Sequence, residues 1–244
     1  MQLVTLDFET YYDVGFSLSN LTTEEYIRDE RFQAIGVGIK INDGKTSWFT
    51  GNQVQEELNK IDWKSSALLC HNTQFDGGIL SFRYGIVPSL YLDTLSMARA
   101  IHGVDAGGSL AYLVEKYSLG AKGTEVVDAK GKRLEDFSES DLLRYGSYCI
   151  NDVELTYKLF QVLAPNFPEE EIKLIDMTLR MYTEPTLEVD DALLQARLEE
   201  VQAEKQQLLQ GLMAKLECQT EEDVRAKLAS NKQFAELLIE LGIT

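Results

Sequence analysis

The succession of short β-branched runs limits the possible folds more than any other feature of this chain. Residues 2–8 and 34–41 are apolar and rich in β-branched side chains, and residues 45–49 form a weaker third run. Turn signals such as Asn42-Asp43-Gly44 separate them, which predicts an antiparallel start to a sheet. From there the two patterns alternate: a helix near 53–60, a buried strand at 67–71, a helix over about 73–84 and a strand at 90–93. The expected class is therefore α/β, a mixed sheet with flanking helices.

Most of the remaining chain reads as helix. Ser109 can cap a helix over 110–117, and Ser138 with Asp141 forms a capping box before a helix running to about 163. Pro165 and Pro168 close that element, which places a domain boundary there: 1–168, then a C-terminal helical extension, 169–244. The extension holds two long amphipathic stretches, 169–182 and 190–216. The second carries Leu194, Leu198, Val201, Leu208, Leu212 and Leu216 on a stripe that needs a partner surface. The polar segment 120–135, with Gly120, Gly123 and Gly131, is the expected mobile connection.

Composition narrows the function classes. With 244 residues, 44% apolar and 26% charged, the chain is neither disordered nor fibrous. No run approaches the roughly 18 apolar residues of a membrane span, and the start lacks a basic region followed by an apolar one, so a soluble protein with no membrane partner is expected. Cys70, Cys149 and Cys218 are too scattered for a disulfide framework and lack metal-type spacing with His71 or His102, which fits a reducing cytosol. The net charge is −17, with 15 basic against 23 acidic residues up to Pro168 and 8 against 17 beyond it. Such a chain does not coat nucleic acid by electrostatics alone. A site working on a polyanion would need divalent metals or a separate partner region.

Three short motifs carry the chemistry. Asp7 and Glu9 end the first strand, where positions i and i+2 share a face, so two repelling carboxylates meet in an oxygen-rich site suited to Mg²⁺ or Mn²⁺. Taken alone, Asp-x-Glu also describes a solvated strand end. In His71-Asn72-Thr73-Gln74-Phe75-Asp76 the chain passes from strand to helix, and ordinary capping would account for Asn72 and Asp76. In Tyr148-Cys149-Ile150-Asn151-Asp152 the i to i+4 spacing puts a phenol and a carboxylate on one helical face. The bland reading is an amphipathic edge with Tyr148 as a core aromatic whose hydroxyl reaches water; Tyr145 lies on nearly the same face and could stand in its place.

Taken together and in order, Asp7-x-Glu9, Asn72-x-x-x-Asp76 and Tyr148-x-x-x-Asp152 resemble the three motifs of the DEDDy 3′→5′ exonuclease superfamily, over about residues 1–165. The resemblance implies an RNase H-like fold and metal-dependent phosphodiester hydrolysis. Asp7 would bridge two divalent ions, Mg²⁺ or Mn²⁺; Glu9 and Asp152 would complete the first metal site. Asp76 would hold the second ion partly through water, and Tyr148 would orient the attacking water. Thr10 and Asn72 match positions near the terminal nucleotide, while His71 has a structural role.

Residues 184–190, the long helix after them and residues 230–238 resemble the link from exonuclease domain to thumb in family A DNA polymerases, bacterial or phage. The expected function is then proofreading: removal of nucleoside 5′-monophosphates from a single-stranded or frayed DNA 3′ end. A polymerase domain in cis or as a separate subunit would be the partner, in the cytoplasm of a bacterium or a phage-infected cell. Polymerisation is not expected of these residues, which stop before any palm or fingers. The alternatives are an RNase D-like exoribonuclease and a silent exonuclease-like scaffold.

Overall fold

The computed structural model describes residues 1–123, 129–240 and 242–243, and the chain divides into two compact units, Met1–Thr186 and Leu187–Thr244. In the first unit, β1 (Gln2–Thr10), β2 (Ala34–Ile41) and β3 (Ser47–Thr50) form an antiparallel meander, preceded in its first connection by α1 (Thr23–Arg28). After α2 (Asn52–Leu58), β4 (Ser66–Cys70) returns parallel to β1. The helix α3 (Thr73–Tyr84) then leads to β5 (Leu90–Asp93), parallel to β4. The order β3-β2-β1-β4-β5 makes the sheet mixed, as the run order requires.

Period-two burial sorts β1 between two layers. Val4, Leu6 and Phe8 enter the main core with Tyr26 and Ile27 of α1 and Ile79 and Leu80 of α3. On the other face Leu3, Ala67, Leu69 and Leu92 meet Phe160 of α6 (Glu139–Leu163). The helices α4 (Thr94–His102) and α5 (Leu110–Lys116) pack on α6 through Met97, Leu113 and Leu159. Gly38 lets α6 approach the sheet, and Gly36 makes room for the Trp48 ring of β3. A Cβ on Gly38 would lie 2.9 Å from Cys149 Sγ, and one on Gly36 would lie 2.4 Å from the Trp48 ring. These glycines pair across the ladder with Asp7 and Glu9, so the close approach occurs where the carboxylates stand.

Several local expectations need correction. The helix α1 is absent from the run pattern because it has only six residues, although its Thr22/Glu25 capping box is a readable signal. Ser138 does cap α6, accepting from Asp141 N at 3.2 Å, but the Asp141 carboxylate takes the Ser138 hydroxyl at 2.7 Å rather than completing a box. Residues 124–128 of the expected mobile connection lie outside the described residues.

The boundary expected after Pro168 falls instead after Thr186. The helix α7 (Glu169–Thr183) packs on α3 and β5 and buries Leu179 and Thr183. Asp176 Oδ1 accepts from Tyr91 N at 2.7 Å, so α7 also covers the free edge of β5. Arg180 reinforces the contact, donating to the Pro88 and Ser89 carbonyls at 3.1 and 3.0 Å. Amphipathicity marks that α7 has a buried face but not which unit buries it.

The second unit comprises α8 (Asp191–Lys215), α9 (Glu221–Ala229) and α10 (Asn231–Glu240). Thr220 and Asp223 cap α9 reciprocally, Leu209 and Val224 are buried, and Leu194, Leu198, Val201 and Leu208 are exposed on α8. Among the described residues no helix is long and apolar enough to cross a membrane.

Candidate active site

Strand alternation turns Asp7 and Glu9 to the α6 side of β1, and ligand atoms of Asp7, Glu9 and Cys149 all lie within 4.8 Å of one another. The Cys149 thiol donates to the Asp7 carbonyl at 3.3 Å, which registers α6 against β1. One helical turn on, Asp152 is buried beside Asp7. Asp76, in the first turn of α3, reaches the same place from the opposite layer: its Oδ1 accepts from Phe8 N at 3.0 Å, between the two strand carboxylates. The structure thus brings together Asp7, Glu9, Asp76 and Asp152 from one strand and two helices.

Electrostatics shows what such crowding costs. Burial and then the neighbouring Asp152 raise the Asp7 carboxyl from its ordinary 3.8 to about 7. Burial and Asp7 likewise push Glu9 and Asp76 well above the carboxylate range. Burial raises Asp152 too, opposed by Lys122, whose Nζ lies 2.8 Å from Asp152 Oδ2. Among the described residues Asp152 Oδ1 is buried and has no hydrogen-bond partner. A hard divalent cation fits this donor set, since it would answer both the repulsion and the orphaned oxygen. Cys149 does not add a soft ligand, because burial and Asp7 hold its thiol protonated.

The capping role expected at Asn72 falls to Asp93. Asn72 is exposed in the left-handed region at φ 72°, without a side-chain capping bond. The Asp93 carboxylate instead accepts from Asn72 N at 2.8 Å and Thr73 N at 3.3 Å, while also capping α4. Asn72 lines a cleft of about 530 Å³ that also contains Asp7, His71, Arg99, Lys122 and Asp152. His71 has both ring nitrogens engaged, with Thr94 Oγ1 at 2.8 Å and Gly108 O at 2.9 Å, as a structural histidine should. Thr10, at the end of β1, is hydrogen-bonded to the Tyr26 hydroxyl at 2.8 Å.

The 3′-5′ exonuclease family model matches residues 28–167, more than half of the chain and including Asp76, Tyr148 and Asp152. The chain belongs to this family. Among curated proteins, none matches the sequence. The exonuclease fold recurs in solved structures. NrnC of Brucella melitensis with bound Mg²⁺ has a TM-score of 0.55 at 16% identity, over 75% of this chain and 83% of that one. RNase D of Trypanosoma brucei in complex with RNA U12 has a TM-score of 0.57 at 15% identity, over 77% and 65%. The family B DNA polymerase of the archaeon Pyrobaculum calidifontis has a TM-score of 0.51 at 16% identity, over 68% and 25%. At these identities the likeness is one of fold, the RNase H-like fold of the DEDD exonucleases.

Two tyrosines of α6 border the acidic pocket, where the sequence pattern singles out one. Tyr148 is half-buried, with the Lys122 ammonium 5.3 Å from its ring centroid. Tyr145, the alternative on nearly the same face, stacks on Phe137 at 5.6 Å. Its hydroxyl lowers the Glu9 pKa against burial, so Tyr145 keeps the carboxylate available. A hydroxyl on the polar side of an otherwise core tyrosine is invisible to hydrophobic periodicity. Tyr148→Phe is expected to slow hydrolysis by roughly 10- to 10³-fold with divalent binding unchanged. Tyr145→Phe should instead weaken Mn²⁺ binding near neutral pH and recover part of it as pH rises. Calorimetric Mn²⁺ titrations at two pH values, paired with rates, check both; equal Mn²⁺ affinity in both variants would contradict the assignment to Glu9.

Proposed function

We propose that this chain is a metal-dependent 3′→5′ exodeoxyribonuclease, the proofreading part of a family A DNA polymerase of bacterial or phage type. The observation that carries the reading is the convergence of Asp7, Glu9, Asp76 and Asp152 on one pocket, with Tyr148 beside it. In this reading Asp7, Glu9 and Asp152 would hold one divalent ion, Mg²⁺ or Mn²⁺, and Asp7 with Asp76 would hold a second. When bound, the ions supply a more acidic water and charge stabilisation at the leaving oxygen. The Tyr148 hydroxyl holds the attacking water for in-line approach to phosphorus; the P–O3′ bond breaks, leaving a 3′-hydroxyl strand and a nucleoside 5′-monophosphate. Thr10 and Asn72 would line the place of the terminal nucleotide.

The preference for DNA is supported by charge and by the resemblance of residues 184–190 and 230–238 to the polymerase link. Residues 169–244 carry 8 basic against 17 acidic residues, which suits a segment joined to a polymerase domain better than one gripping RNA. The test incubates the purified chain with 3′-labelled single-stranded DNA, mismatched duplex or RNA, plus Mg²⁺ or Mn²⁺, and identifies the products. Release of deoxynucleoside monophosphates, faster from frayed than from matched ends, is expected. Turnover of RNA alone would move the chain to the RNase D-like branch, where a 2′-hydroxyl is required. Absence of both divalent binding and cleavage would leave a silent scaffold.

A further inference from the structure

Lys122 stands in the acidic pocket but belongs to none of the three motifs. Its Nζ lies 2.8 Å from Asp152 Oδ2, and its ammonium stands 5.3 Å from the centroid of the Tyr148 ring. Among the described residues Asp152 Oδ1, which is buried, has no hydrogen-bond partner and is the oxygen left over. Lys122 lines the cleft together with Asp7, Asn72 and Asp152, so its head group is within the site rather than on an outer rim.

We infer that Lys122 is a positioning residue of the hydrolytic reaction: by holding Asp152 through Oδ2 and standing over the Tyr148 ring, it leaves Oδ1 as the oxygen of Asp152 for a divalent cation. The inference rests on the functional reading above and extends it to a residue that none of the three motifs contains. A lysine suits this place because its compact ammonium can pair with a carboxylate and stand over an aromatic ring at once. Its charge also opposes a dication only a few ångströms away, so the pocket gives up metal affinity for geometry. That trade separates Lys122 from a merely structural residue, whose loss would weaken metal binding and turnover together.

The experiment compares Lys122→Gln and Lys122→Arg with the unaltered chain, using Mn²⁺ as the probe. Mn²⁺ affinity is measured by electron paramagnetic resonance without nucleic acid, and single-turnover cleavage of single-stranded DNA is measured at saturating Mn²⁺. Lys122→Gln is expected to bind Mn²⁺ roughly 3- to 10-fold more tightly, having lost the opposing charge. The same variant should cleave about 10- to 100-fold more slowly even when saturated. Lys122→Arg should restore Mn²⁺ affinity to the original value and recover part of the rate. Weaker Mn²⁺ binding in Lys122→Gln, or an unchanged saturated rate, overturns the inference. Failure of the unaltered chain to cleave any 3′ end would instead overturn the functional reading, and the Mn²⁺ titration would still report on Lys122.

Discussion

Asp7→Asn is expected to reduce hydrolysis by roughly 10³-fold or more while making the metal-free protein more stable. The two effects share one cause. Asp7 stands where β1 meets α6, beside Asp152 and Asp76, and burial lifts its pKa from 3.8 to about 7. The folded chain therefore holds a proton that the unfolded chain releases, and stability in chelator falls as pH rises through the window from about 4 to about 7. Glu9 and Asp76, also raised, act in the same direction. Replacing the Asp7 carboxylate by an amide of the same shape removes its share of that slope and stabilises the metal-free chain at pH 7.5 by on the order of 1–3 kcal/mol. Thermal melts in EDTA and in Mg²⁺ check this. The unaltered chain should gain from Mg²⁺ and Asp7→Asn should not. A lower melting temperature for Asp7→Asn in EDTA, or near-original cleavage, would remove Asp7 from the centre of the site.

The second large effect concerns where the catalytic unit ends. A chain cut after residue 168 is expected to unfold or aggregate, whereas one cut after 186 should keep cleavage per folded molecule. Residues 1–168 contain every proposed site residue, yet the shorter chain lacks α7. Leu179 would no longer cover α3, and the edge of β5 would lose Asp176 at Tyr91 N and Arg180 at the Pro88 and Ser89 carbonyls. An uncovered edge strand next to an opened core invites pairing between chains. Loss of Leu179 burial alone is worth roughly 1.5–3 kcal/mol. Circular dichroism melts and light scattering of the two truncations, with rates scaled to folded protein, decide the matter. A stable, monomeric 1–168 chain would mean that α7 contributes little to the first unit.

How much of this was legible beforehand depends on the range of the interaction. The strands at 34–41 and 90–93 and the helix at about 73–84 were readable, because each is a short apolar run or a helical pattern bounded by turn signals within one segment. The motif residues were readable for a related reason: Asp7 with Glu9 and Tyr148 with Asp152 are each neighbours on one element, and their order along the chain is a property of the sequence. Asn72 and Asp93 mark the limit. An asparagine before a helix reads as its cap, but the left-handed backbone at Asn72 turns its side chain away, and a carboxylate 21 positions later takes the exposed N–H groups.

The partnerships that decide the chemistry join distant positions and carry no local signal. Sequence alone determined the strand order's antiparallel start, the mixed α/β class, and the identities of five acidic and phenolic residues resembling an exonuclease set. Only the tertiary structure decided that Asp76 reaches β1 through Phe8 N, that Lys122 and not solvent holds Asp152 Oδ2, that Tyr145 serves Glu9, and that α7 belongs with the first unit. The reason is physical. Periodicity records which face of an element leaves water, whereas contacts such as these depend on how whole layers settle against each other, here through the close approach of α6 that Gly38 allows.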